Sequence, residues 1–302
     1  MKKIIKRIVI AVVAIALVAV LGLAGSLFSY YPHYAKSKTQ VEFKNNYDGK
    51  IAVMSCNVRC INPLDFGHKN WFYRADLVVK GIENNMPSII GFQEATKWQY
   101  NYLCSSLPGY DSIITYRDKK VNSEGCPIFY RSDLYELVEK DSFWLSETPD
   151  EMSKDWGAAC YRICSYAILK DKESGKQFVV FNTHLDHVSD EARINGIGVV
   201  LEKIEKFGSL PSIIMGDFNA DESSETYKSV TGNFLDAKYQ TENTMIGCTY
   251  QCWGTALDRE NIDYFMISKT GFTIDEYKVI TDTYDGDYSS DHFPIFTVLE
   301  LA

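Results

Sequence analysis

The chain has 302 residues, enough for one large α/β domain or two small ones. Hydrophobic residues make up 46% of it and charged residues 24%, which excludes an intrinsically disordered chain. The formal net charge is −9, from 31 Lys and Arg against 40 Asp and Glu. Because neutralising phosphates requires a basic surface, this balance argues against non-specific binding of nucleic acid. It does not exclude an enzyme that reaches phosphate through a bound metal.

Residues 1–30 predict a basic cytoplasmic start followed by a transmembrane anchor. Residues 8–27 are almost all Ile, Val, Ala and Leu, and a helix of that length spans about 30 Å, the thickness of a bilayer core. Cations precede this run and none follows it closely, so we expect the rest of the chain to cross the membrane. The alternative is a cleaved secretory signal peptide. Under either interpretation the body of the protein lies outside the cytoplasm.

The remaining chain is interpreted as a short tether, residues 31–49, and one folded domain, residues 50–302. In this domain short apolar runs recur, and each is followed by a polar cluster. Such runs are typical of buried strands. The runs that we predict to be strands cover residues 51–54, 89–92, 178–181 and 213–215.

Two helices are predicted between these strands. Residues 70–86 favour a helix that ends before Pro87, and residues 189–207 favour a second one capped by Ser189. The second carries an apolar stripe at helical spacing, made of Ile194, Ile197, Leu201 and Ile204. Alternating strands and helices indicate a layered α/β fold, in which polar groups at strand ends collect in one site.

The eight cysteines allow three interpretations. Six of them fall in pairs four residues apart. An exported chain permits disulfides, so these stay open. A zinc site would need shorter Cys-x-x-Cys spacing and a His partner. We favour small apolar core residues for most of them, because free cysteine is readily buried.

Polar residues at or after the predicted strands point to chemistry. Several carboxylates brought together repel one another and raise each other's pKa values, and a hard divalent cation removes that conflict. Asp, Glu and Asn oxygens suit Mg²⁺, Mn²⁺ or Ca²⁺, and two nearby histidines offer acid–base work. The set predicts metal-assisted hydrolysis of a phosphoester. It consists of Asn57, Glu94, His184, Asp217, Asn219, Asp263, Asp291 and His292.

Six short segments carry these residues in a recognisable order. In that order they resemble the endonuclease/exonuclease/phosphatase superfamily, which has the DNase I-like fold, over about residues 50–302. The segment Phe143–Pro149 is similar to a bacterial branch of the family, here with a membrane anchor. The six segments are Ser55–Arg59, Gly91–Glu94, Asn182–Leu185, Gly216–Ala220, Asn261–Tyr264 and Ser289–Pro294.

The resemblance implies a four-layer α/β sandwich of two mixed β-sheets flanked by helices. It also implies a metal site, in which Glu94 is the main ligand and Asn57 and Asp291 assist. The ion would be Mg²⁺, with Mn²⁺ as an alternative.

The same resemblance implies catalytic roles around the metal. Asp217 and Asn219 would orient the attacking water and the phosphate. His292, held by Asp263, would act as general base or bind phosphate, and whether it or Asp217 takes the proton of the water stays open.

A second histidine is expected to face the phosphate from the other side. His184 would be a general acid or would stabilise charge there. Glu124 is expected to pair with His184. Asn182, which lies in the same segment as His184, is expected to support the site.

These inferences predict a metal-dependent phosphoester hydrolase, a phosphodiesterase or phosphatase, on the outer side of the membrane. We expect its substrate to be a small molecule or a lipid headgroup rather than nucleic acid. No protein partner is evident. The alternatives are a nuclease of the same fold and a catalytically inactive surface binding module.

Overall fold

The computed structural model describes residues 2–37, 40–44 and 48–302. Helices and strands are numbered in chain order. The α-helices of the described residues are α1 (Lys2–Phe28), α2 (Tyr31–Lys36), α3 (Trp71–Asn85), α4 (Lys97–Ser106), α5 (Asp190–Glu205) and α6 (Glu225–Thr231). Short 3₁₀ turns lie at Gly67–Lys69 and Ala237–Tyr239.

The strands form two large sheets and a small ribbon. The first sheet has the spatial order β12 (Thr244–Met245), β14 (Phe272–Val279), β15 (Ile295–Leu301), β1 (Ile51–Asn57), β2 (Ile89–Gln93), β6 (Ile128–Arg131) and β4 (Tyr110–Ile113). The second has the order β11 (Phe234–Asp236), β13 (Asp263–Ser268), β10 (Ser212–Asp217), β9 (Gln177–His184), β8 (Ile163–Asp171) and β7 (Tyr135–Trp144). The ribbon pairs β3 (Ala95–Thr96) with β5 (Glu124–Gly125).

Both large sheets are mixed. In the first sheet β1 runs parallel to β2 and antiparallel to β15. In the second sheet β10 runs parallel to β9 and antiparallel to β13. Parallel neighbours end at the same edge of a sheet, so the ends of β1 and β2 meet, as do the ends of β9 and β10.

The side chains alternate between layers along each central strand. In β1, Ile51 and Val53 pack in the core between the two sheets, whereas Ala52 and Met54 pack in the core that also contains residues of α3 and α4. The side chains of β10 also alternate. Ile213 lies in the core between the sheets, and Ile214 packs in the outer core that contains residues of α5. Successive residues of a strand point to opposite faces, so both faces of each sheet are covered. The predicted four-layer α/β sandwich is confirmed.

The predicted elements are present with small shifts at their ends. Helix α3 begins after Asn70, whose side chain accepts a hydrogen bond from the Phe72 N–H, and it ends at Met86 in the left-handed conformation. Helix α5 is capped by Ser189 as expected. The predicted apolar stripe of α5 is wrong at one position, because Ile194 is 36% exposed. The buried face of the helix is rotated toward Val200.

Helix α1 is long and apolar enough to cross a membrane, and it could serve as an anchor or as a signal segment. Its large apolar side chains between residues 4 and 23 are exposed. Its last turn contacts the folded domain, because the Asn70 amide donates to the carbonyl oxygens of Ser26, at 3.3 Å, and Leu27, at 3.0 Å. The ring of Phe28 lies 5.3 Å from that of Phe72.

The described part of the predicted tether packs against the domain. Tyr34 in α2 is buried, with its ring 4.8 Å from that of Tyr102. Val41 is also buried, and its N–H donates to the carbonyl oxygen of Ser106. Residues 38–39 and 45–47 of the predicted tether lie outside the described residues.

All eight cysteines lie in the described part of the chain, and each is a free thiol. Cys56, Cys126 and Cys164 are buried, in agreement with the favoured interpretation. Cys248 is partly buried against the core between the sheets, whereas the other four are partly or fully exposed. The interpretation therefore holds for half of the cysteines and not for most of them.

Gly216 is paired with Thr183 of β9, where the two backbones leave no room for a side chain. It has a φ of +144°, and a Cβ atom there would collide with the backbone carbonyl of Thr183. Backbone atoms of a central strand cannot move away without breaking the ladder, so glycine is required at this position.

We predict that Gly216→Ala lowers the free energy of unfolding by about 3 kcal/mol, from overpacking and backbone strain together. Urea unfolding of the detergent-solubilised chain, followed by circular dichroism, measures this. Gly198→Ala is the matched control, since nothing lies within 4 Å of a Cβ atom there and α5 favours alanine. Equal loss of stability in the two variants would contradict the proposed cause.

Candidate active site

The site residues sit where the strand ends of both sheets meet. Asn57 ends β1, and Glu94 directly follows the neighbouring parallel strand β2. In the second sheet Asp217 pairs with His184 across the parallel ladder and with Asp263 across the antiparallel one. The register of five strands therefore brings together residues that are far apart in the sequence.

Asn57 connects the two sheets. Its Nδ2 donates to Asp217 Oδ2 at 2.9 Å and to Glu94 Oε1 at 3.2 Å. The other oxygen of Glu94 accepts from the Cys60 N–H at 2.8 Å. Glu94 and Asn219 both have a positive φ, 61° and 49°, which is uncommon outside glycine and clusters at functional sites.

Burial opposes ionisation of Glu94, but its hydrogen bond from Cys60 and the nearby Arg59 guanidinium outweigh it. Together with His292 and the Asn57 amide they hold the pKa of Glu94 below its ordinary value. This carboxylate is therefore charged at neutral pH.

His292 is held by two carboxylates. Its Nδ1 lies 2.9 Å from Asp263 Oδ2, and its Nε2 lies 3.7 Å from Asp217 Oδ2. Burial disfavours the charged imidazolium, but the charges of Asp263 and Asp217 outweigh burial and raise the pKa of His292 to about 10. Burial and the charge of Asp263 raise the pKa of Asp217 to about 7.

His184 has the opposite electrostatic environment. Its Nε2 lies 3.4 Å from Asp217 Oδ2. Burial, followed by the positive charges of Arg162 and Arg117, lowers the pKa of His184 well below its ordinary value. His184 is therefore a neutral imidazole at pH 7.

The expected pairing of Glu124 with His184 is not what the structure shows. Glu124 Oε1 instead accepts a hydrogen bond from Arg117 Nη2 at 2.6 Å. A permanently charged guanidinium is a stronger partner for a carboxylate than a neutral imidazole.

Most of the predicted residues line one cavity of about 530 Å³. Asn57 and Asp263 lie behind its wall, where they hold the residues in front of them. Asn182 is also buried, and its Nδ2 donates to the carbonyl oxygens of Phe92 and Pro127 and so joins the two sheets. The predicted residues that line the cavity are Glu94, Glu124, His184, Asp217, Asn219, Asp291 and His292.

Several lining residues had been given no role from the sequence. Four of them are arginines, which supply positive charge in an otherwise acidic domain. Tyr250 is another, and its ring lies 5.0 Å from that of His292 and 5.3 Å from the guanidinium of Arg259. The arginines are Arg59, Arg117, Arg162 and Arg259.

Two groups of side chains could hold a cation. Glu94 and Asp291 line the same cavity, and burial raises the pKa of Asp291, with the charge of Glu94 adding to it. The second group is Asp217, Asp263 and His292, whose ligand atoms lie within 4.8 Å of one another. In that group the Asp263–His292 hydrogen bond already satisfies one carboxylate and one ring nitrogen.

Comparison with known proteins gives matches over most of the domain. An endonuclease/exonuclease/phosphatase from Bacteroides vulgatus has 34% identity and a TM-score of 0.80, covering 84% of this chain and 99% of that one. A mannosyl-6-phosphatase from Bacteroides thetaiotaomicron has 33% identity and a TM-score of 0.77, covering 83% of this chain and 100% of that one.

An uncharacterised protein of Acanthamoeba polyphaga mimivirus is 32% identical over 186 residues, which are 58% of this chain and 68% of that protein. The match to Nocturnin of Drosophila melanogaster covers only 26% of that protein's length, so the activity of the whole relative does not transfer directly to this chain. The family profile described as "Endonuclease/Exonuclease/phosphatase family" matches residues 54–292. Members of this family are phosphoester hydrolases, generally dependent on a divalent metal, and the chain belongs to it.

Proposed function

We propose that this protein is a Mg²⁺- or Mn²⁺-dependent hydrolase of a small phosphate ester or a phosphorylated lipid headgroup. The observation that carries the proposal is one cavity with acidic oxygen ligands, Glu94 and Asp291, beside His292, Asp217 and Asn219. A catalytically inactive binding module would not need to retain all of these groups. The net charge of −9 counts against nucleic acid as the substrate.

Glu94 and Asp291 would hold the metal, and Asn57 would assist through its amide oxygen, which also accepts the Arg59 N–H at 2.9 Å. They offer only oxygen ligands, which suit Mg²⁺ or Mn²⁺ better than Zn²⁺. Burial, and after it the charge of Glu94, raises the pKa of Asp291, and a bound cation would relieve both effects. When bound, such an ion neutralises charge on the phosphoryl oxygens and leaves positions open for substrate.

Asp217 is the better candidate for the general base. A pKa of about 7 matches proton transfer at neutral pH, whereas His292, with a pKa of about 10, already carries its proton. His292 and the Asn219 amide then donate hydrogen bonds to the phosphoryl group as negative charge develops on it. His184, as a neutral imidazole, supplies one further N–H donor.

The reaction adds water to phosphorus and breaks the bond from phosphorus to the ester oxygen. The attacking water forms the new P–O bond and loses a proton to Asp217. The leaving oxygen takes up a proton from solvent to become an alcohol, and Asp217 returns its proton to solvent. The products are this alcohol and the phosphate group that the water has joined.

The substrate is proposed from the cavity and from one relative. A similar protein is a mannosyl-6-phosphatase, which supports a small phosphorylated molecule as the substrate class for this chain. The lining arginines supply the local positive charge that such a substrate needs.

The location of the protein is proposed from α1. Its basic start and apolar length support a single-pass anchor with the catalytic domain outside the cytoplasm, or a secreted domain if the segment is cleaved. The bacterial, membrane-anchored branch of the family stays a prediction, supported by the likeness to the two Bacteroides structures.

We predict that Glu94→Ala and His292→Ala each reduce turnover of a phosphate ester by roughly 10² to 10⁴-fold without unfolding the protein. The first removes a metal ligand and the second a donor to the phosphoryl group. Release of phosphate in the presence of Mg²⁺ measures this, with Glu136→Ala as the control because Glu136 is an exposed residue of β7. Folded variants with the wild-type rate would show that the site is misassigned.

Metal binding is predicted to stabilise the protein by mass action. At Mg²⁺ concentrations about 100 times the Kd, the gain is roughly 2.7 kcal/mol, which raises the melting temperature by about 5 °C or more relative to EDTA. Glu94→Gln should abolish the gain, and Glu136→Gln should keep it. A gain that survives in Glu94→Gln would place the metal elsewhere.

The metal-free protein is predicted to lose stability as the pH rises. The pKa of His292 is raised above its ordinary 6.5, so its contribution is complete below pH 6.5 and is lost toward pH 10. The pKa of Asp217 is also raised, so its contribution to stability is lost as the pH rises from about 4 to about 7.

In EDTA we therefore expect the melting temperature to fall by roughly 5 °C between pH 6 and pH 9.5. Asp263→Asn should flatten this fall, because it removes the main charge that raises the pKa of His292. The same slope in the variant and in the wild type would rule out this pair as the cause.

A further inference from the structure

Two arginine side chains line the cavity beside His184. Arg162 directly precedes β8, which pairs antiparallel with β9, so it lies next to the end of β9 where His184 sits. Its side chain is only 5% exposed, and that of Arg117 is 16% exposed. Both line the same cavity as Glu94 and Asp291.

The contacts of Arg162 within the protein leave part of its guanidinium unsatisfied. Its Nη2 donates to Nδ1 of His187 at 2.9 Å. Its Nε lies 3.6 Å from Asp186 Oδ2, too far for a good hydrogen bond. Among the residues that the structure describes, this Nε is buried and has no hydrogen-bond partner.

Asp186 cannot supply the missing partner, because its oxygens are already used by backbone N–H groups. Oδ1 accepts from Val188 and Ser189, both at 3.0 Å. Oδ2 accepts from Ala159 at 3.0 Å and from Cys160 at 3.3 Å. Asp186 therefore balances the charge of Arg162 without satisfying its donors.

Arg117 has a similar deficit. One of its terminal nitrogens donates to Glu124, while its Nε is buried without a partner in the described part of the chain. Leaving a buried charged donor unmatched costs stability, on the order of 1–3 kcal/mol or more. Both arginines line the cavity, and their positive charge beside it is not fully matched within the protein, which indicates an anionic ligand.

We propose that Arg162 and Arg117 bind the non-bridging oxygens of a terminal phosphoryl group, so that the substrate is a phosphomonoester rather than a phosphodiester. This rests on the proposed function, since the same cavity carries out the hydrolysis. A monoester presents three non-bridging oxygens with a charge of about −1.5 to −2 at pH 7. A diester presents two such oxygens with a single charge, and its second substituent would meet the arginines.

The acidic and basic residues of the cavity would then have different tasks. Glu94 and Asp291 would hold a metal that neutralises charge on the phosphoryl group, and the two arginines would donate to its non-bridging oxygens. Guanidinium groups bind phosphate oxygens through parallel N–H donors, which lysine cannot reproduce. The products are an alcohol and inorganic phosphate.

The test compares two substrates with the same leaving group, 4-nitrophenyl phosphate and bis(4-nitrophenyl) phosphate, using the full chain in detergent with Mg²⁺. We expect kcat/KM for the monoester to exceed that for the diester at least 100-fold. Arg162→Gln should lower kcat/KM for the monoester about 100-fold and change that for the diester less than threefold. Arg162→Lys should restore little, because it lacks the planar fork.

Arg131→Gln is the matched control, since Arg131 is equally buried and paired with Asp133 but does not line the cavity. Its kinetics should match the wild type. Faster hydrolysis of the diester by the wild type, or an equal loss on both substrates in Arg162→Gln, would overturn the proposal.

Binding of inorganic phosphate gives a second readout that does not need turnover. In Mg²⁺, phosphate should raise the melting temperature of the wild type but not of Arg162→Gln, while Mg²⁺ alone stabilises both. Equal stabilisation of both by phosphate would contradict the role of Arg162. If the wild type hydrolyses neither substrate, the proposed function fails, and the phosphate experiment still decides whether the arginines bind a phosphoryl group.

Discussion

Five carboxylates converge at one edge of the sandwich, and this concentration of acidic groups is the constraint on which the rest of the site depends. They are Glu94, Glu124, Asp217, Asp263 and Asp291. Asp217 and Asp263 are compensated by His292, whose pKa they raise to about 10. Glu124 pairs with Arg117. Asp291 has weaker compensation, since its pKa is raised and the nearest approach of Arg59 to it is 3.8 Å. In the proposed function, a divalent cation at Glu94 and Asp291 would complete the balance and would serve the hydrolysis of a phosphoester.

The fold tolerates this arrangement because its strands and loops are fixed independently of the site. Apolar alternation sets the strand register, and a slip of one residue would turn every side chain to the wrong face. The loops at the strand ends are held by the buried guanidinium of Arg74, which donates to the carbonyl oxygens of Val58, at 2.6 Å, and Ser289, at 2.9 Å. Glu94 and Asn219 keep their positive φ values within this frame.

The fold and the acidic half of the site could be predicted from the sequence, and the basic half could not. Asn57 and Glu94 follow apolar runs directly, so their place at a strand end is visible in the pattern. Arg162 stands before a strand, and only the antiparallel register of β8 and β9 shows that it reaches the same edge. The partner of Glu124 could not be predicted either, because it depends on three-dimensional packing. The structure places the charged Arg117 guanidinium beside Glu124, and this is a stronger partner than the neutral imidazole of His184.

The position of the bound metal is the most direct test of the proposed site. A crystal of the protein soaked with Mn²⁺ and measured at the manganese absorption edge gives the ion's position from its anomalous scattering. We predict a peak held by Glu94 and Asp291, with the Asn57 amide oxygen as a further candidate ligand. A peak among Asp217, Asp263 and His292 instead, or no peak at a saturating Mn²⁺ concentration, would contradict it.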